Sequence, residues 1–293
     1  MIGGFLPSTI DQALRIFLEE DLPEGDLTSR LFFEEKAGNR IIEAVVVAEE
    51  RGVLSGAFLV PRIFSLLEEP VTIDWSCSDG NLFESGTPLC TWNGPILALL
   101  SGERLALNLL KHLSAIATMT RTYVDIVART RPPGMRPLRI TETRKTLPGL
   151  RIFQKYAVRT GGGFSHRSSL SSGILIKDNH IVGVGSVSKA IRLARSKAPH
   201  PYRIEIEVDT PEQALEAVRE KADILLLDNM PVETMGALVP ILRALSPDII
   251  LEVSGGLTFD KVKAVSALDV DLCSVGALTH SPGDLSLRVD FRE

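Results

Sequence analysis

The sequence predicts an α/β barrel, TIM-like but incomplete and phosphate-binding, joined to an N-terminal α+β domain. Three observations carry that prediction. Short apolar runs alternate with helical segments through the second half of the chain, the pattern of parallel strands joined by crossover helices. Nearly every run ends in a polar residue or glycine, at Lys177, Glu207, Asp228, Ser254 and Gly276, as when a barrel builds one site from many strand ends. Glycine-rich turns, Ser254-Gly255-Gly256 and Gly276-Ala277, follow the last two runs, where backbone N–H groups can meet a phosphate.

The elements follow in order. Apolar residues at 10, 13, 14, 17 and 18 give the period of an amphipathic helix, and the acidic stretch 19–26, with Pro23 and Gly25, ends it. Strands are expected over 41–48, 71–77 and 88–92, set apart by turn signals at Arg51-Gly52, Asp79-Gly80 and Asn93-Gly94. A long helix over 101–128 is rich enough in apolar residues to be largely buried. Five further strands are expected over 173–176, 202–208, 222–227, 248–253 and 271–275. Helices over 187–196, 211–220, 232–244 and 259–267 fill the intervals. The Ile, Leu and Val content of these strands suits a sheet covered on both faces. The expected boundaries are an α+β domain over 1–113, completed by 280–293, and a barrel over 114–279. No fixed-period repeat or low-complexity segment is evident.

Composition limits the function classes. The 293 residues carry 32 Lys and Arg against 37 Asp and Glu, a net charge of −5, which argues against nucleic acid as a general partner. No apolar run approaches the roughly 20 residues needed to span a bilayer, so no membrane partner is expected. The opening MIGGFLPSTIDQ lacks the basic start and apolar run of an export signal. Cys77, Cys90 and Cys273 show neither CxxC nor Cys/His spacing, which disfavours a disulfide framework and a zinc site and suits a reducing cytoplasm.

The charge is unevenly placed. Residues 139–177 hold eight Lys and Arg against the single acid Glu142, a local +7, which leaves −12 for the rest of a chain whose total is −5. A solvated basic face is the ordinary explanation of such a run. Here, however, Arg144-Lys145 precede Pro148-Gly149, and His166-Arg167 follow Gly161-Gly162-Gly163. Glycine-containing loops let backbone approach a ligand, and paired Arg side chains match carboxylates and phosphates. A small, multiply anionic ligand is expected.

Glu205 and Glu207 lie two apart on one strand and share a face, and Asp228 closes the next strand. Carboxylates at adjacent strand ends suit Mg²⁺ or ribose hydroxyls. Among the histidines only His166 has a functional case; His112 reads as a satisfied, half-buried helix residue. Neither HExxH, GxSxG nor GxxxxGK[ST] is present.

Several long motifs carry a resemblance. They are Thr143-Arg144-Lys145-Thr146-Leu147-Pro148-Gly149-Leu150-Arg151, Gln154-Lys155-Tyr156-Ala157-Val158, Gly161-Gly162-Gly163-Phe164-Ser165-His166-Arg167 and Leu175-Ile176-Lys177-Asp178-Asn179-His180. With Ser101-Gly102-Glu103-Arg104, Glu205-Ile206-Glu207-Val208-Asp209, Leu226-Leu227-Asp228-Asn229 and Ser254-Gly255-Gly256, they resemble the quinolinate phosphoribosyltransferases nearly end to end. The chain departs from that family's pattern at Glu142 (usually Asp), Ser165 (Asn), Ser169 (Gly) and Ser172 (Asp). A related family associated with molybdenum transport shares the fold, but Ile176-Lys177-Asp178-Asn179-His180 reads like the quinolinate enzymes.

The resemblance implies an enzyme that joins quinolinate to phosphoribosyl pyrophosphate with loss of CO₂ and pyrophosphate, giving nicotinate mononucleotide, with Mg²⁺ as cofactor. It implies that Arg104, Arg144, His166 and Arg167 clamp the two carboxylates, with Lys145 and Lys177 between ring and pyrophosphate. It places Glu207 and Asp228 on metal or ribose, and Ser254, Gly255, Gly256, Gly276 and Ala277 on the 5′-phosphate. It also implies a homodimer, or an assembly of dimers, in which Arg104 reaches the neighbouring subunit's site. Two other classes compete: a phosphate-binding barrel isomerase or aldolase, which would want a catalytic base and no Arg clamp, and a non-catalytic barrel that binds anionic ligands.

Overall fold

The computed structural model describes residues 7–33 and 40–292; the first six residues, read above for an export signal, lie outside them. The chain forms two compact units. The first comprises residues 1–119, 147–162 and 282–293, and the second 120–146 and 163–281. Residues 147–162 thus group with the first unit, although their sequence position lies inside the expected 114–279 barrel range.

The first unit is built on an antiparallel sheet of order β12-β1-β5-β3, formed by β1 (Ile41–Ala48), β3 (Thr72–Trp75), β5 (Pro88–Pro95) and β12 (Leu287–Arg292). The last strand lies along the first, with Glu43 opposite Arg292 and Ala48 opposite Leu287. A two-stranded ladder of β2 (Gly52–Val53) and β4 (Leu82–Phe83) stands beside it. Phe64 and Trp92 meet edge to face at 5.4 Å in the unit's core, and the Trp92 indole N–H finds Cys90 Sγ at 3.2 Å. A buried indole needs such a partner.

The second unit carries six parallel strands in the order β6-β11-β10-β9-β8-β7. They are β6 (Arg139–Thr141), β7 (Ile174–Ile176), β8 (Ile204–Val208), β9 (Ile224–Asp228), β10 (Ile250–Ser254) and β11 (Leu272–Ser274). Helices Val187–Lys197, Pro211–Arg219, Val232–Leu245 and Phe259–Val265 supply the crossovers. Ile206, Leu225, Leu227, Leu251, Val253 and Cys273 have no exposed surface, as strands covered on both faces require. Each such side chain contributes roughly 1.5–3 kcal/mol by leaving water. Within this sheet β6 and β7 are the two edges, so the barrel is incomplete, and a single bridge from Thr141 to Phe164 extends the β6 side.

Three of the four crossover helices start with a side-chain cap: Ser186, Thr210 and Thr258 accept the N–H groups of Lys189, Gln213 and Lys261. The chain after β10 is tied down by Arg131, whose guanidinium donates to the carbonyls of Ser266, Leu268 and Val270 at 2.8–3.1 Å. Charge-assisted bonds to carbonyls are individually strong. Arg131→Ala is expected to destabilise the protein by about 3 kcal/mol, read as a lower denaturation midpoint at an unchanged m-value. A shift below about 1 kcal/mol would count against this tie.

The structure adds elements that the apolar pattern does not reveal. β6 is three residues long within the basic stretch, with only Ile140 apolar. Helix Arg151–Thr160 buries Gln154 and Lys155 beside Phe153, Ala157 and Val158, so its inward face does not read as apolar. The long helix runs Ile96–Thr130, starting earlier than expected because it follows β5 without a loop. No helix among the described residues is long and apolar enough to cross a membrane, and Cys77, Cys90 and Cys273 are all free thiols.

Candidate active site

The site lies at the C-terminal ends of the parallel strands. Thr143-Arg144-Lys145 follow β6, Lys177 follows β7, Glu207 sits one residue before the end of β8, and Asp228, Ser254 and Ser274 end β9, β10 and β11. Together with His166 and Arg167 they line a cavity of about 320 Å³. Leu175, Leu226 and Glu252, two residues deeper on their strands, form its base. The register explains the grouping: Glu207 pairs with Leu226, which pairs with Glu252, so one row of the sheet carries both carboxylates.

Of the eight cations in the basic stretch, four line this cavity: Arg144, Lys145, Arg167 and Lys177. Arg151, Lys155 and Arg159 ride on the helix assigned to the first unit. There burial lowers the Lys155 ammonium, together with the charge of Arg159, to a pKa of about 8. Arg139 stacks on the Phe164 ring at 4.6 Å and lines an adjoining cavity, which shares His166, Arg167 and Glu252 with this one. The +7 of the sequence is therefore divided by the fold.

Three of the four are held in place by contacts to their neighbours. Thr279 Oγ1 donates to the Lys145 carbonyl at 2.8 Å, and the Lys145 amide donates to Thr143 Oγ1 at 3.0 Å. The Lys145 side chain passes so close to Gly276 that a Cβ there would lie 3.2 Å from its Cδ. Lys177 pairs with Glu207. Arg167 donates from Nη1 to the Gly173 carbonyl at 3.2 Å. Burial lowers its pKa, and so does the neighbouring charge of Arg144. Arg144 Nε is itself buried without a hydrogen-bond partner. Two guanidinium groups placed in mutual repulsion, one with a bare N–H, favour a bound anion.

The carboxylates form two groups. Glu207, Asp209 and Asp228 each offer an oxygen within 4.8 Å of the others. Asn229 Nδ2 donates to Asp228 at 2.6 Å. Such hard oxygen donors fit a divalent cation of the Mg²⁺ type. Deeper in the site, Glu205 and Glu252 both approach His166 Nε2 at 3.4 Å. Burial drives the His166 imidazole toward neutrality, but the two carboxylates outweigh it and raise its pKa. Glu205 is held above the usual carboxylate range by burial and by the charge of Glu252, with His166 and Arg167 pulling the other way.

The glycine turns follow the strand-end residues Ser254 and Ser274, which line the cavity, while Gly255, Gly256, Gly276 and Ala277 themselves do not. Gly255 and Gly256 both have positive φ, +88° and +57°. Lys261 Nζ donates to the Gly255 carbonyl at 2.7 Å, which turns the N–H of the same planar peptide, that of Gly256, the opposite way. Gly276 precedes the short turn Ala277–His280. The segment joining Arg167 to β7 is closed by hydroxyls, with Ser172 Oγ at 2.7 Å from Ser169 Oγ and 2.8 Å from Ser168 Oγ. His112 lies in the first unit, where Gln154 Nε2 meets its Nε2 at 2.9 Å and burial lowers its pKa. Arg104, also in that unit, is an exposed position on a largely buried helix.

Sequence reasoning missed Glu252 and Asp209. Glu252 interrupts the run Ile249-Ile250-Leu251-Glu252-Val253, and a charge inside a covered strand is a signal of function by itself. Asp209 sits two residues past Glu207, on the same face by strand alternation.

Parallel strands whose ends gather four cations, a carboxylate cluster and glycine turns define a phosphate-binding α/β barrel built for multiply anionic ligands. Family profiles match almost the whole chain: the quinolinate phosphoribosyl transferase N-terminal domain over residues 26–114 and the C-terminal domain over 116–290. The chain belongs to the quinolinate phosphoribosyltransferase family. It is 41% identical over 281 residues to a probable nicotinate-nucleotide pyrophosphorylase (carboxylating) of Bacillus subtilis, covering 96% of this chain and 93% of that one. It is 32% identical over 289 residues to the human nicotinate-nucleotide pyrophosphorylase (carboxylating), covering 98% and 94%. Among solved structures, the nicotinate-nucleotide pyrophosphorylase from Francisella tularensis superposes with a TM-score of 0.89 at 31% identity, covering 100% of this chain and 99% of that one.

Proposed function

We infer that this enzyme transfers the phosphoribosyl group of phosphoribosyl pyrophosphate to the ring nitrogen of quinolinate and removes one carboxylate. The products are nicotinate mononucleotide, pyrophosphate and CO₂, a step of NAD biosynthesis. The observation that carries this reading is the Arg144–Arg167 pair facing a cavity ringed by Lys145 and Lys177. An isomerase or aldolase has no use for two opposed guanidinium groups, whereas a dicarboxylate needs them.

Arg144 and Arg167 hold the carboxylates, with the His166 ring beside them and Leu175 and Leu226 offering apolar surface to the pyridine. Lys145 and Lys177 offset the repulsion between the two anionic substrates. The 5′-phosphate sits on the turns at Ser254-Gly255-Gly256 and Gly276-Ala277. Cleavage at the ribose C1′ builds positive charge there, which Glu207 and Asp228 stabilise. Holding the ring nitrogen in line supplies much of the rate, since orientation alone can contribute roughly 7–11 kcal/mol. Loss of the adjacent carboxylate as CO₂ then leaves an electron pair on the ring carbon, stabilised by the quaternary nitrogen, and a proton from water takes it up. Glu207 and Asp228, with Asp209, would hold Mg²⁺, which when bound neutralises the pyrophosphate leaving group.

The free thiols and the lack of a membrane-spanning helix among the described residues support a cytoplasmic enzyme. Arg104, exposed on a largely buried helix, supports a homodimer or an assembly of dimers in which it enters the neighbouring site. The function is tested by incubating the protein with quinolinate, phosphoribosyl pyrophosphate and Mg²⁺. Nicotinate mononucleotide and CO₂ should appear in equal amounts, and nicotinate should not replace quinolinate; no product would overturn the reading. For the assembly, inactive Arg104→Ala and inactive Lys177→Ala proteins, mixed under subunit exchange, should regain activity. No recovery after verified exchange would sink the shared site.

A further inference from the structure

Beneath the cations, two carboxylates and one imidazole share a buried layer. Glu205 is 6% exposed and Glu252 2%, and each presents Oε1 to His166 Nε2 at 3.4 Å, an electrostatic contact, since neither oxygen has a hydrogen-bond partner. On the ring's other side, Nδ1 accepts the backbone N–H of Arg167 at 2.7 Å.

His166, Glu205 and Glu252 are spaced to hold a metal ion, but the ring's other nitrogen argues against it. A metal-bound imidazole keeps its proton on the second nitrogen and donates it. Nδ1 here accepts, so the ring proton sits on Nε2, between the carboxylates. The same bond opposes the imidazolium that the carboxylates favour, because a proton on Nδ1 would confront the Arg167 N–H. At 2.7 Å that contact disfavours a proton on Nδ1, and the proton that faces the carboxylates sits on Nε2.

Both ring nitrogens are therefore turned toward protein. The segment between the Phe164 bridge and β7 has no ladder of its own, and Ser165, Ser168 and Leu170 on it are exposed. Glu252, by contrast, is fixed in the middle of β10, between Leu226 of β9 and Leu272 of β11. We propose that Glu252 is a positioning residue: with Glu205 it holds the Nε2–H edge of His166 by the negative charge set against it, and His166 fixes the Arg167 backbone through Nδ1, so that the guanidinium meets its anion at a set place. The inference rests on Arg167 holding a quinolinate carboxylate. It deepens that reading by naming the buried strut behind the clamp.

The test combines kinetics with nitrogen NMR. Glu252→Met keeps the volume but removes the negative oxygens, and should raise the quinolinate KM about tenfold or more while the phosphoribosyl pyrophosphate KM stays within about threefold. Glu252→Gln keeps a partly negative carbonyl oxygen and should return the quinolinate KM to within about threefold of the parent. In the ¹⁵N-histidine-labelled parent protein, His166, assigned by its loss in His166→Gln, should be protonated at Nε2 and bare at Nδ1. Equal rises in both KM values, a Gln variant as impaired as Met, or a proton on Nδ1 would each overturn the proposal. If Glu252→Met does not fold, the Gln variant and the tautomer decide. A parent protein that makes no nicotinate mononucleotide would fail the functional reading, while the tautomer would still report on the strut.

Discussion

Lys177→Ala is expected to lower kcat/KM by about a thousandfold or more, equivalent to about 4 kcal/mol of lost transition-state stabilisation, with little effect on folding. The side chain leaves the end of β7, is 45% exposed and pairs with Glu207 across the strand ends. The ammonium is largely solvated, so its own contribution to stability is small, and any fall in melting temperature comes from the carboxylate left behind. Catalysis is a different matter. The departing pyrophosphate gathers negative charge as the ribose bond breaks, and a fixed ammonium at the cavity wall stabilises that state more than the bound substrate. Its removal also leaves Glu207, whose side chain is only 11% exposed, without its cation. Lys177→Arg tests charge against shape: it keeps the charge but lacks the compact ammonium, and should recover part of the loss. Lys177→Ala activity within about tenfold of the parent would overturn this assignment.

The strands of the barrel were legible because covered parallel strands must be apolar on both faces, which leaves Ile, Leu and Val runs with polar ends. Lys177, Glu207, Asp228 and Ser254 stand out for the same reason, as the polar stops of those runs. The basic stretch was legible as a charge excess but not as a site. Sequence adjacency cannot tell that the chain leaves the strand ends at Leu147, builds helix Arg151–Thr160 in the first unit, and returns at Gly163. Lys155 and Arg167 look alike on the page; the first is buried in the first unit and the second lines the cavity. Glu252 escaped for the opposite reason. Its strand is recognised by hydrophobic content, and the one residue that contradicts that content is the one that faces the site.

Gly255→Ala is expected to lower both stability and affinity for phosphoribosyl pyrophosphate, and to do so far more than Gly256→Ala next door. At Gly255, φ is +88°, and an added Cβ would stand 2.2 Å from Asn229 Oδ1 and 2.6 Å from the Asn229 backbone nitrogen. The first atom could swing aside. The second cannot, because the Asn229 N–H is bonded to the Ser254 carbonyl at 3.1 Å and Asn229 is itself in the left-handed region, at φ 53°. Relief requires the turns after β9 and β10 to separate, and Asp228, bonded to Asn229, moves with them. The left-handed backbone costs about 1–2 kcal/mol for a residue with Cβ, and overpacking about 1–3 more. A total of about 2–5 kcal/mol corresponds to a melting temperature lower by roughly 5–15 °C. At Gly256, φ is +57° and no atom lies within 4 Å of the added Cβ, so only the backbone term remains. Thermal melts of the two variants, with the phosphoribosyl pyrophosphate KM measured on each, separate the close approach from the dihedral preference. Equal losses in the two variants would mean that the Asn229 contact does not hold the turn, and the phosphate would then have to be held elsewhere than on Ser254-Gly255-Gly256.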